Sequence, residues 1–274
     1  MSGGAEEMTH DGPRTNGDVP RTAPPPRTAS LPDICFTLRR KVTAFIEQPS
    51  DDKLVRDTQD QARVAMSVIE EALQSYTHEQ LSLAYNGGKD CLVLLLLILA
   101  CLPSATTVPP TTTKPPQRLQ AIYIAPPDPF PEVETFVAAS TQTYHLDLER
   151  YALPMRPALE AYIRDRPAVR AVFMGTRRTD PHSEFLEHFS PTDGDWPRIM
   201  RVNPLLDWRY GEIWTFIRGL DVDFCCLYDR GYSSLGGVNN TRPNPALALD
   251  AEGKKFRPAY ELVRDDEERL GRDR

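Results

Sequence analysis

The chain has 274 residues, enough for one large domain or two small ones, and a hydrophobic content of 40% that can fill a sizeable core. Its net charge of −7 disfavours a general nucleic-acid binder, whose usual footprint is basic. The longest apolar run, Leu92 to Leu102, is too short to span a bilayer, and the N-terminus has no hydrophobic signal core. The cysteines, Cys35, Cys91, Cys101, Cys225 and Cys226, form neither a Cys-x-x-Cys pair nor a disulfide framework, which points to a reduced, cytoplasmic setting.

Residues 1 to 30 are polar, with Gly-Gly, Asn-Gly and Pro-Pro-Pro, and read as a disordered tail. From Leu31 onward Ile34, Leu38, Val42, Phe45 and Ile46 follow helical spacing. A second helix is expected from Asp51 to Ser75, with Leu54, Val64, Met66, Ile69 and Leu73 on its inner side. Leu81 to Tyr85 reads as a strand and Asp90 to Cys101 as a buried helix, in which Cys91 and Cys101 are small core residues. Residues 103–116 form a Pro/Thr-rich loop with no core signal. Leu119 to Ile124 is the next strand. A Pro-rich turn then leads to a helix bearing Val133, Phe136 and Val137. Tyr144 to Tyr151 is a third strand, Ala158 to Arg166 a helix, and Ala171 to Met174 a fourth strand. Beyond Thr179 the chain is irregular, with one clear helix from Gly211 to Arg218; Cys225 and Cys226 sit in an apolar context and read as structural. Alternating strands and helices argue for an open, mostly parallel twisted α/β sheet with helices on both faces, followed by an irregular C-terminal part, all within one domain of residues 31–274. In such sheets ligands bind beyond the carboxyl ends of the strands.

Two segments at such ends carry chemistry. In Tyr85-Asn86-Gly87-Gly88-Lys89-Asp90-Cys91, paired glycines let backbone N–H groups approach an anion, and the following helix points its positive end at the same place. Lys89 adds a cation. The segment is built to hold phosphate, and it is not a Walker A loop, because that spacing is absent. The bland reading, a glycine turn before a buried helix, does not account for Lys-Asp between such a strand and so apolar a helix. In Gly175-Thr176-Arg177-Arg178-Thr179-Asp180-Pro181, adjacent arginines offer planar donors suited to phosphate. Alone it could be a solvated surface turn; beside the first motif it reads as functional. Trp208 and Trp214 read as core, and His145, His182 and His188 lack the spacing of a zinc site.

The first loop resembles that of the PP-loop ATP pyrophosphatases, with Asn86 and Cys91 in place of serines. Together with Gly175–Pro181, Asn203-Pro204-Leu205-Leu206-Asp207-Trp208, Tyr232–Pro245 and the closing Glu268-Arg269-Leu270-Gly271-Arg272, the chain is similar to the fungal-type FAD synthases. These are FMN adenylyltransferases with a PAPS reductase-like fold. The resemblance covers residues 31–274 and departs in the 103–116 loop and in a short stretch between Pro245 and Phe256.

This resemblance implies that Asn86, Gly87, Gly88, Lys89 and Asp90 hold the ATP phosphates and Mg2+, with Asp90 toward the metal. It implies Ile124 near adenine, Arg177 and Asp180 at the junction with FMN, and further nucleotide or flavin contacts from Ala84, Thr176 and Arg201. Asp193, Gly194, Asp195 and Trp196 match a flavin-contacting segment, and Arg269 and Arg272 are expected on FMN. Without the resemblance, those arginines beside Asp265, Asp266, Glu267 and Glu268 would read as a solvated helix face. The implied reaction is ATP + FMN → FAD + pyrophosphate, with FAD passing to client apo-flavoproteins and neither nucleic acid nor membrane as partner. Alternatives are a PAPS reductase or sulfur-transfer enzyme, or a non-catalytic nucleotide or flavin sensor. The Glu-Cys-Gly motif of the reductases is missing.

Overall fold

A computed structural model describes residues 29–102, 117–250 and 252–273. The expected tail (save Ala29 and Ser30) and the 103–116 loop lie outside these residues. Ser30 caps the first helix, α1 (Leu31–Glu47), and exchanges hydrogen bonds with Asp33. The helix α2 (Lys53–Ser75) follows.

The six strands are β1 (Leu81–Ala84), β2 (Leu119–Ile124), β3 (Leu146–Tyr151), β4 (Ala171–Phe173), β5 (Phe189–Pro191) and β6 (Met200–Val202). They form one sheet in the order β3-β2-β1-β4-β6-β5, parallel except for β5. Helices α3 (Lys89–Cys101), α4 (Pro131–Thr143) and α5 (Met155–Asp165) connect the parallel strands, and α6 (Tyr210–Gly219) follows β6.

Alternation along the strands sends their side chains to two cores. Leu81, Leu83, Ala121, Tyr123, Ala171 and Phe173 join α3 and its neighbours. Ile122 and Val172 meet Tyr162 of α5 on the other face, where the Ser82 and Tyr162 hydroxyls lie 2.6 Å apart. The central helix α3 packs against α1, α2 and α6, and Leu92 through Ala100 are fully buried, so it is apolar all round. Among the described residues no helix is long and apolar enough to cross a membrane.

Several expectations are corrected. Leu54 and Val64 do not face inward but are 39% and 45% exposed; α2 turns Thr58, Gln59, Ala62, Ala65, Ile69 and Ala72 to the core instead. Those small side chains let the α2 backbone pack closely against α3 and α6. Tyr144 caps α4, and His145 adopts a left-handed conformation, so β3 begins at Leu146. Strands β5 and β6 extend the sheet within the region expected to be irregular. Cys226 is exposed, whereas Cys225 is buried.

Strand order reverses at β1: the chain winds outward through β2 and β3, then returns to the other side at β4. The carboxyl ends of β1 and β4 therefore flank a crevice at a topological switch point.

Candidate active site

After β1 the chain turns through Gly87, whose φ of +74° is open to glycine and strained for other residues. Asn86 accepts the Gly88 N–H at 2.9 Å, and the Tyr228 hydroxyl accepts the Lys89 N–H at 2.8 Å. The Gly87 and Cys91 N–H groups have no acceptor among the described residues, and the Asp90 N–H meets its own carboxylate. Gly88 caps α3 without a side chain, so the start of the helix presents donors and its positive dipole end to the crevice. At the end of β4, a Cβ on Gly175 would lie 3.1 Å from the Cys91 nitrogen. Glycine lets β4 pass this close to the start of α3.

Beneath the loop lies a cluster of four charges. The Lys89 ammonium donates to Asp90 Oδ2 at 3.0 Å and to Glu268 Oε1 at 2.6 Å. Arg177 Nη2 donates to Glu268 Oε1 at 2.6 Å, and Arg177 Nε stands 2.8 Å from Asp90 Oδ1 without hydrogen-bond alignment. Lys89, Arg177 and Glu268 are buried; Asp90 is partly open to the crevice. Burial opposes charge on Lys89, but Asp90 and Glu268 overcome it and raise its pKa. Burial also opposes charge on Asp90, yet Arg177 and Lys89 hold its carboxyl below the usual range. Asp180 accepts the Arg177 N–H at 2.9 Å, and burial shifts its carboxyl upward. Burial and Asp90 push the Cys91 thiol up to about 12.

The crevice is a cavity of about 500 Å³, within the range of small-molecule sites. Asn86, Gly88, Lys89, Asp90, Ile124, Asp180, Arg269 and Arg272 line it. Gly87 lies within the loop, Ala84 ends β1, and Thr176 leads into the buried Arg177. The structure does not bring Asp193, Gly194, Asp195, Trp196 and Arg201 to this cavity. The first four form the β5–β6 turn, which the strand register places off the amino ends of β4 and β6. Arg201 donates across that hairpin to the Pro191 carbonyl and to Asp193. Trp208 and Trp214 are buried, as expected of core residues.

Arg178, adjacent to Arg177, pairs with Asp207, donates to the Glu184 and Leu186 carbonyls, and does not line the cavity. The closing segment is a turn, not an α-helix, and it still brings Arg269 and Arg272 to one cavity. Cys91 also lines the cavity instead of lying wholly in the core. Glu268 and Tyr228 escaped the sequence reading. The closing Glu-Arg motif contains Glu268 without marking it as buried, and nothing local signals Tyr228, whose partner lies 139 positions away.

A glycine loop at the switch point of a parallel sheet, followed by an uncapped helix, defines a nucleotide-binding domain of the PP-loop type. A family model of the phosphoadenosine phosphosulfate reductase domain matches residues 80–161 and 150–243. The chain is 37% identical over 228 residues to a probable FAD synthase of Schizosaccharomyces pombe, covering 83% of this chain and 84% of the relative. It is 30% identical over 248 residues to the flavin adenine dinucleotide synthase of Saccharomyces cerevisiae, covering 84% and 80%. Its fold matches the crystal structure of Candida glabrata FMN adenylyltransferase in complex with FAD and inorganic pyrophosphate, with a TM-score of 0.83, 28% identity, and coverage of 89% and 98%. The chain belongs to the FAD synthase family.

Proposed function

We propose that this chain transfers the AMP moiety of ATP to FMN, giving FAD and pyrophosphate. The carrying observation is the convergence of the Asn86–Cys91 loop with Asp90, Asp180, Arg269 and Arg272 on one cavity at the switch point. An FMN phosphate oxygen attacks the α-phosphorus of ATP in line, and pyrophosphate leaves. That oxygen is already anionic at neutral pH, so the site needs no strong base; it positions the reactants and compensates charge. The free N–H groups of the loop and of the α3 start receive the departing phosphates. Lys89 acts through the field of its cluster and by orienting Asp90, because its ammonium is engaged by two carboxylates.

The Asp90 carboxylate is paired with Arg177 and Lys89 but partly open to the crevice, and as a hard oxygen donor it would hold Mg2+. When bound, Mg2+ would neutralise phosphate charge. Arg269 and Arg272, which line the cavity, would contact FMN. The proposed flavin contacts of Asp193, Gly194, Asp195, Trp196 and Arg201 rest on the sequence resemblance alone. A thiol pushed up to about 12 makes Cys91 a poor nucleophile, which speaks against sulfur transfer through it. A cytoplasmic location and delivery of FAD to apo-flavoproteins extend the proposal. The test is incubation with ATP, FMN and Mg2+: equimolar FAD and pyrophosphate support it, and binding without turnover leaves a sensor.

A further inference from the structure

The charges under the loop cancel. Lys89 and Arg177 contribute two positive charges, and Asp90 and Glu268 two negative ones. The neighbouring Asp180–Arg269 pair, 3.8 Å apart, is balanced too. Glu268 is not a surface acid that happens to reach inward. Its own carbonyl accepts the Ser233 hydroxyl at 2.6 Å, and the Glu267 carbonyl accepts Asn244 Nδ2 at 2.7 Å. Its carboxylate is thereby fixed between two buried cations, on the lining of the cavity beside Gly88, Lys89 and Asp90.

A site that must release pyrophosphate has a use for such an arrangement. Two uncompensated cations under the loop would hold a highly charged product tightly. Backbone donors over a neutral base grip phosphate by direction rather than by net charge. We propose that Glu268 is a positioning residue that sets the net charge beneath the phosphate subsite and so limits how tightly the loop retains pyrophosphate. This rests on the adenylyl-transfer reading above.

The test is titration of the full chain with inorganic pyrophosphate at fixed Mg2+, without ATP or FMN, for the parent, Glu268→Gln, Lys89→Met and the double variant. One unit charge within a few ångströms changes anion affinity by about tenfold or more. Glu268→Gln should therefore bind pyrophosphate about tenfold more tightly and Lys89→Met about tenfold more weakly. The double variant restores neutrality and should return to within about threefold of the parent. In turnover, Glu268→Gln should lower kcat and the KM for ATP together, as product release becomes limiting. Unchanged or weakened pyrophosphate binding in folded Glu268→Gln overturns the proposal. If that variant does not fold, Lys89→Met is compared with the double variant: tighter binding by the double variant supports the charge rule, and equal or weaker binding overturns it. FAD formation by the parent is scored separately. A parent that makes FAD but variants that ignore charge would sink this inference alone. A parent that makes no FAD would sink the functional reading, while the titration still judges the charge rule.

Discussion

Burial makes a carboxylate costly at Asp90, and Arg177 and Lys89 keep it ionised at the start of α3. Asp90→Asn keeps the shape and removes the charge. We expect turnover to fall on the order of a thousandfold, several kcal/mol of transition-state stabilisation, while the fold persists. Single-turnover FAD formation measures this, and near-normal turnover would remove Asp90 from the chemistry. Asp180 behaves oppositely. Its native pKa is raised by burial, so the native state holds its proton to higher pH than the unfolded chain, and stability falls as pH rises from about 4 through the native value. Asp180→Asn lacks that loss. Its melting temperature relative to the parent should become more favourable as pH climbs through this window and then level off; a pH-independent difference would contradict the assignment. For Asp90, whose pKa is depressed, the stabilising contribution is present above about 4 and is lost as pH falls through the native value.

Among the elements, α3 and the closing segment carry the clearest expectations. Leu96 is fully buried in α3, and Leu96→Ala should cost about 2–5 kcal/mol in a denaturant titration. Arg269 is half-exposed beside Asp180, so Arg269→Ala should weaken FMN binding about tenfold, a charge-assisted contact of about 1.5–3 kcal/mol, with little effect on melting. Arg272 also donates to the Leu235 carbonyl at 2.7 Å, so Arg272→Ala should lower both FMN affinity and melting temperature. Unchanged FMN affinity in both variants would strike them from the site.

The legible elements were those with long patterns. The strand-loop-helix from Leu81 to Cys101 announces itself through an apolar run and two glycines, and β2 through an apolar run before a turn, whereas β3 shows only the alternation Leu146-Asp147-Leu148-Glu149. Strands β5 and β6 have three residues each, with Pro191 and Arg201 among them, too short to show a period. The inner face of α2 is mostly small or polar, with Thr58, Gln59, Ala62, Ala65 and Ala72 beside Val68 and Ile69, so Leu54 and Val64 misled the reading. Glu268 was hidden by its acidic neighbours, because burial against Lys89 and Arg177 is decided by tertiary contact.

At the scale of the molecule, six separate segments of the chain, from the glycine loop to the closing turn, line one cavity, so ligands should tie them together. Saturating ATP with Mg2+, or FMN, at about 100 times the Kd should add about 2.7 kcal/mol and raise the melting temperature by roughly 5–10 °C. A scan with each ligand alone and with both checks it, and no shift with either would deny the cavity its role.

Lys89 and Glu268 are 179 positions apart, and their pairing gives synthesis of this protein a clock. At about 5–20 residues per second, the ribosome delivers Glu268 some 10–35 s after Lys89. From the synthesis of Arg177 until that of Glu268, Lys89 and Arg177 share the Asp90 carboxylate, and burying both would leave one cation unanswered in a dry interior. The loop must therefore stay hydrated on the nascent chain while the strands assemble around it. The turn that carries Glu268 is what dries and sets the site, so catalytic competence waits for its synthesis.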